Sequence, residues 1–210
     1  MDFNIPSDVL DEIQLNIENL INGFDIPDDN KLDVIKKINF MYTRTKQMSL
    51  IDPLTGLYNR RHFDSCFERE FMRAKRYGNA LSIAVIDVDF FKNINDTHGH
   101  SFGDFVLKEI AYLAANTVRT TDLIFRYGGE EFVIIFTETD RDNAIVPLDR
   151  LRQIIEEHNF RFNNTEIRVT ISIGISSDIQ AQTPQEMFDN ADKALYKAKE
   201  TGRNQIISEA

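Results

Sequence analysis

One cysteine in 210 residues, Cys66, leaves no partner for an internal disulfide and fits a reducing compartment. Its neighbours Phe63 and Phe67 set it on the apolar side of a helix, so the thiol is expected to pack rather than to act as a nucleophile. Long apolar runs are also missing. None reaches the roughly 20 residues of a bilayer-spanning helix, and Met1-Asp2-Phe3-Asn4 lacks the basic start of a secretory signal, so a cytoplasmic protein without a membrane segment is expected. Cations are the minority charge, 24 Lys and Arg against 34 Asp and Glu, for a formal net charge of −10. That balance excludes affinity for nucleic acid or anionic lipid through counterion release. A polyanionic ligand would need a divalent metal and a few placed cations to enter so acidic a protein. What the chain does have is 42% hydrophobic residues, enough for one full core and an appendage.

The chain divides near Asp52, giving an N-terminal segment (residues 1–49) and a larger domain (50–210). In the first, Ser7 can cap a helix with Val9, Ile13, Ile17, Leu20 and Phe24 on one face and Asn22-Gly23 as the stop. Pro27 and Asp28 open a second helix. Its stripe Val34, Ile38, Met41, Thr45 and Met48 alternates spacings of four and three, a short coiled-coil pattern suited to self-association.

Beyond Asp52 the pattern predicts helices near 60–77, 102–118, 141–158 and 184–200, and strands near 81–87, 166–175 and 204–207. A further pair of strands flanks Gly128-Gly129. Strands alternating with helices around one hairpin imply an α/β (α+β) fold with a central sheet covered by helices, either ferredoxin-like and polymerase-palm-like or doubly wound.

Two motifs stand out. In Arg126-Tyr127-Gly128-Gly129-Glu130-Glu131-Phe132 two glycines and two carboxylates sit between apolar runs. The glycines permit positive φ and close approach of a ligand, and paired carboxylates suit a hard cation beside a polyphosphate. In Leu81 to Lys92 an apolar, β-branched run ends at Asp87 and Asp89, as expected of a buried strand that delivers carboxylates at its C-terminal end. The polar, glycine-punctuated stretch Asn93 to Asp104 follows and is expected to form a site-lining loop.

Together with Asp52-Pro53-Leu54-Thr55-Gly56-Leu57-Tyr58-Asn59-Arg60-Arg61, the pairs Gly99-His100 and Gly103-Asp104, the strand Val169 to Gly174, and Ala191-Asp192 to Lys199 with Gly202-Arg203-Asn204, these motifs give residues 52–208 a clear resemblance to GGDEF-domain diguanylate cyclases, in the GGEEF variant. The resemblance supports the ferredoxin-like, polymerase-palm-like sheet over a doubly wound one. It implies condensation of two GTP into cyclic di-GMP and two pyrophosphates, across a homodimer in which each subunit brings one nucleotide. It implies Mg2+ or Mn2+ held by Asp87, the Val88 carbonyl and Glu130, with Glu131 in support and Asp89 less clearly involved. Asp87, Glu130 and Glu131 would be the catalytic carboxylates, with the group that takes the hydroxyl proton left open. Asn95 and Asp104 match the guanine-reading positions; as plain side chains they also suit a turn and a helix cap. Lys199 and Arg203 match the phosphate-binding pair, aided by backbone N–H groups around Phe90, Phe91 and Lys92. Arg119 and Asp122 match an RxxD site through which cyclic di-GMP inhibits, though a local ion pair would explain the same residues.

His98 and His100 lack zinc-ligand spacing and are expected to pack. The rival function is a catalytically inactive receptor for GTP or cyclic di-GMP; the intact Gly-Gly-Glu-Glu segment favours the enzyme.

Overall fold

The computed structural model describes residues 34, 36–38, 40, 50–163, 165–177 and 181–208. The chain forms two compact units that divide between Leu50 and Ile51. In the first, residues 34, 36–38, 40 and 50 are helical. The expected helix capped by Ser7, and Met41, Thr45 and Met48 of the second stripe, lie outside the described residues.

The second unit is built on a six-stranded sheet in the order β1-β3-β4-β2-β7-β8. Its strands are β1 (Tyr58–Asn59), β2 (Leu81–Val88), β3 (Leu123–Gly128), β4 (Glu131–Thr137), β7 (Ile171–Ser176) and β8 (Ile206–Ser208). A separate hairpin pairs β5 (Phe160–Phe162) with β6 (Thr165–Ile167). The helices are α1 (Arg60–Tyr77), α2 (Phe91–His98), α3 (His100–Thr117), α4 (Arg141–Glu157) and α5 (Pro184–Glu200).

Central strand β2 is buried along its whole length, with β4 and β7 antiparallel on either side. Side chains alternate across a strand, so Ala84, Ile86 and Val88 enter the core shared with α2, α3 and α4. Leu81, Ile83 and Val85 enter the core shared with α1 and α5. Each buried Ile or Val contributes about 1.5–3 kcal/mol, and the same alternation aims Asp87 at the side of the sheet that α5 covers. This is the helix-covered sheet that the sequence predicts.

Helix boundaries follow local chemistry. Asn59 caps α1 by accepting from the His62 N–H, and Gly78 ends it with φ 69°. Asp140 caps α4, and Thr183 caps α5 with Pro184 in the first turn.

Three local expectations are corrected. The stretch after Phe90 is helical rather than a loop, because Phe91 and Ile94 anchor one face of α2 while its polar residues face outward. Consequently α3 begins at His100, immediately past Gly99, and not near 102. The strand expected over 166–175 is two, β6 and β7, separated by residues 168–170.

Candidate active site

Asp87 lies one residue from the end of β2, paired in register with Glu131 of β4 and Ser172 of β7. The next residue, Val88, donates its N–H to the Glu130 carbonyl at 3.4 Å, which fastens the hairpin tip beside the strand end. From the other side comes α5. It rests on β7 through Gly174, where a Cβ would fall 2.1 Å from the Ala191 oxygen and 2.2 Å from the Leu195 nitrogen. This close approach carries Lys199, in the last turn of α5, to within 2.7 Å of Asp87, Nζ to Oδ2. Burial pushes the Asp87 carboxyl above its ordinary value; Lys199 opposes the rise, while Glu130 and Asp89 add to it. Glu131 is likewise raised by burial and by the Asp87 charge, against Lys199. These carboxylates repel one another and share a single ammonium, a donor set that favours a hard cation. Among the described residues no three His, Cys, Asp or Glu side chains converge closely enough to hold an ion unaided. A metal would therefore use backbone and ligand oxygens as well.

The Gly-Gly tip is braced by a residue the sequence did not single out for that task. Arg126 donates to the Gly129 carbonyl from Nε at 3.1 Å and from its NH2 group at 2.9 Å, and pairs with Asp52 at 3.1 Å. Gly129 has φ 49°, and the register shifts between Arg126 and Gly128. Asp52 also accepts from the Thr55 N–H at 2.9 Å and hydroxyl at 2.7 Å. Burial raises its carboxyl, yet the Thr55 and Arg126 bonds outweigh burial and hold it below its ordinary value. An arginine on a mostly apolar strand needs an acidic partner, and that was the available signal.

Asn95 and Asp104 come from α2 and α3, joined at Gly99. The Asn95 amide packs so tightly on Gly103 that a Cβ there would lie 2.0 Å from Oδ1. Asp104 is exposed and lies inside α3, which has no side-chain cap, so it is not a cap residue.

On the remaining side, Phe91 is buried in the core and Lys92 is exposed. Phe90 is exposed at φ 57° ahead of α2, whose N-terminus also has no side-chain cap. The Arg203 guanidinium lies 4.5 Å from the centre of the Phe90 ring. Asp89 is committed elsewhere, accepting from the Thr170 and Ser172 hydroxyls at 2.7 Å each.

Arg119 and Asp122 exchange backbone-directed bonds rather than an ion pair: Asp122 Oδ2 accepts from the Arg119 N–H, and the Asp122 N–H donates to the Arg119 carbonyl, both at 3.0 Å. They line a cavity of about 310 Å3 together with Arg150 and Pro147 of α4. Arg150, which carries no distinguishing sequence signal, also donates to the Thr117 carbonyl. Cys66 is buried beside His62 and Arg69, as expected of a packing residue, whereas His98 and His100 are both exposed, His98 touching Phe102 with ring centres 5.1 Å apart.

The sheet is mostly antiparallel and palm-like, with carboxylates at a strand end beside a Gly-Gly hairpin. The chain belongs to the diguanylate cyclase GGDEF domain family, whose model matches residues 49–205. It is 38% identical over 164 residues to diguanylate cyclase A of Treponema denticola, covering 76% of this chain and 44% of that one. It is 40% identical over 167 residues to the response regulator PleD of Caulobacter vibrioides, covering 78% and 37% respectively. The chain thus spans less than half the length of these relatives. Among solved structures, the coiled coil and GGDEF domain of DgcB from Caulobacter crescentus, in complex with c-di-GMP, gives a TM-score of 0.82 at 26% identity, covering 86% of this chain and 96% of that one. The active GGEEF domain of a diguanylate cyclase from Vibrio cholerae gives 0.68 at 36% identity, covering 72% and 97%. No described helix is long and apolar enough to cross a membrane.

Proposed function

We propose that the protein is a diguanylate cyclase that converts two GTP into cyclic di-GMP and two pyrophosphates, each 3′-hydroxyl attacking the α-phosphorus of the other nucleotide. The observation that carries this is the meeting of Asp87, the Glu130-Glu131 hairpin and Lys199 at one end of the sheet. Asp87, the Val88 carbonyl and Glu130 would hold Mg2+ or Mn2+, with Glu131 in support. Such an ion, when bound, lowers the hydroxyl pKa and offsets charge on the leaving oxygen.

The chain's own side chains do the rest. Lys199 and Arg203 bind the triphosphate, with the uncapped start of α2 at Phe91 and Lys92 supplying backbone N–H groups beside Phe90. Asn95 and Asp104 read the guanine edge, whose N1–H and N2–H2 donors need acceptors that adenine would leave unsatisfied. One subunit holds one nucleotide, so the reacting atoms meet between two subunits in a twofold homodimer. The N-terminal segment, residues 1–49, sets that geometry. Arg119 and Asp122, with Arg150 beside them, bind cyclic di-GMP as an inhibitor in the cavity next to α4.

Incubation with Mg2+ and GTP, followed by mass analysis, tests the proposal. It predicts a product of the mass of cyclic di-GMP and two equivalents of pyrophosphate; nucleotide binding without any product would identify a receptor instead.

A further inference from the structure

Asp89 is 4% exposed, and its bonding partners are neutral. Oδ1 accepts from the Ser172 hydroxyl at 2.7 Å. Oδ2 accepts from the Thr170 hydroxyl at 2.7 Å and from the backbone N–H of Asn204 at 3.1 Å. A carboxylate buried without a cation persists only where its lone pairs are met by donors, and here the donors join strand β7 to the turn after α5. Those bonds also leave Asp89 little capacity for an ion.

The turn it grips is unusual. Arg203 and Asn204 have φ 63° and 44°, successive residues with a Cβ in the left-handed region. Surrounding bonds hold them there: the Arg203 N–H donates to the Ala198 carbonyl at 2.9 Å, and the Asn204 side chain accepts from Arg152 at 3.0 Å and donates to Glu156 at 2.8 Å. Phe90 follows Asp89 in the chain and Arg203 precedes Asn204. The Asp89 to Asn204 bond therefore ties together the two backbone segments that carry the stack of Arg203 on Phe90.

We infer that Asp89 is a positioning residue for nucleotide binding, whose carboxylate clamps the Asn204 backbone and so presents the Arg203 guanidinium to the substrate phosphates. This role rests on the proposed cyclase reaction. Removing the clamp leaves Arg203 in place but frees its backbone, so the loss falls on substrate affinity rather than on metal activation.

The test is a double-mutant cycle in the full chain with Asp89→Asn and Arg203→Ala, read as KM for GTP, kcat, the Mg2+ concentration for half activation, and hydrogen exchange of the Asn204 amide. Asp89→Asn alone should raise KM about tenfold, the size of one lost charge-assisted hydrogen bond. It should leave the Mg2+ midpoint in place and speed Asn204 exchange; in the Arg203→Ala background it should add less than about twofold. Effects that multiply in the double mutant, a shifted Mg2+ midpoint, or unchanged Asn204 exchange would overturn the inference. Should Asp89→Asn fail to fold, Thr170→Val removes one donor from the same oxygen and is carried through the same cycle with the same signs. A chain that turns over no GTP overturns both the proposed function and this role for Arg203, whereas turnover with independent mutational effects overturns only the role of Asp89.

Discussion

Lys199 Nζ stands 2.7 Å from Asp87 Oδ2, an ion pair joining the last turn of α5 to the end of β2. The lysine is about one-third exposed while the carboxylate is nearly buried, so the ammonium can turn to a bound triphosphate without leaving the site. Lys199→Met is expected to raise KM for GTP at least tenfold, as for a lost charge-assisted phosphate contact. Steady-state rates over a range of GTP concentrations measure it.

Gly174 governs whether that pair forms. A methyl group there would overlap the α5 backbone at Ala191 and Leu195, which are not ends of flexible side chains and cannot swing away. Gly174→Ala should cost about 1–3 kcal/mol of stability, the range for overpacking a close-fitted core. Activity should fall further than stability explains, since α5 carries Lys199. Chemical denaturation and turnover of the same variant separate the two effects.

The proposed inhibitory site lies in another part of the molecule. Arg119 lines the cavity beside α4, away from the strand-end carboxylates. Arg119→Ala should keep cyclase turnover and lose inhibition by cyclic di-GMP, and Arg150→Ala should weaken inhibition in the same direction. Progress curves with added cyclic di-GMP give the answer; unchanged inhibition removes the assignment of Arg119.

Asp52 predicts a pH dependence. Its carboxyl is held below its ordinary 3.8 by Thr55 and Arg126 in spite of burial. The folded state therefore binds this proton more weakly than the unfolded state does, and the stabilisation is complete above the ordinary value. It is lost as pH falls through the depressed folded value. The stability difference between the unsubstituted protein and Asp52→Asn should stay constant from neutral pH to about pH 5 and shrink as acid protonates the carboxyl. Thermal melts at stepped pH check this.

Much of this arrangement was legible in the residues. The β-branched run from Leu81 to Val88 announced a central strand with Asp87 at its C-terminal end; that Asp87 lies on the side that α5 covers emerged only with the structure. Gly78 is a helix stop readable from its residue type, whereas the caps Asn59, Asp140 and Thr183 emerged only with the structure. What escaped depended on contacts distant in sequence. Helix α2 hides in a polar stretch because only Phe91 and Ile94 bury its inner face. The pairing of Arg126 with Asp52 spans 74 positions, and that of Asp89 with Asn204 spans 115. No local periodicity encodes such pairs. Strands β5 and β6 are three residues each, too short to show alternation.

The central claim is that Asp87 and Glu130 act together on the nucleotide, and Glu130→Gln tests it most directly because it removes a charge while keeping the side-chain shape. With folding confirmed by circular dichroism, the initial rate of cyclic di-GMP formation at saturating GTP and Mg2+ should drop by about a thousandfold, on the scale of losing an essential catalytic group. A Glu130→Gln protein that forms cyclic di-GMP at the unsubstituted rate would contradict the account.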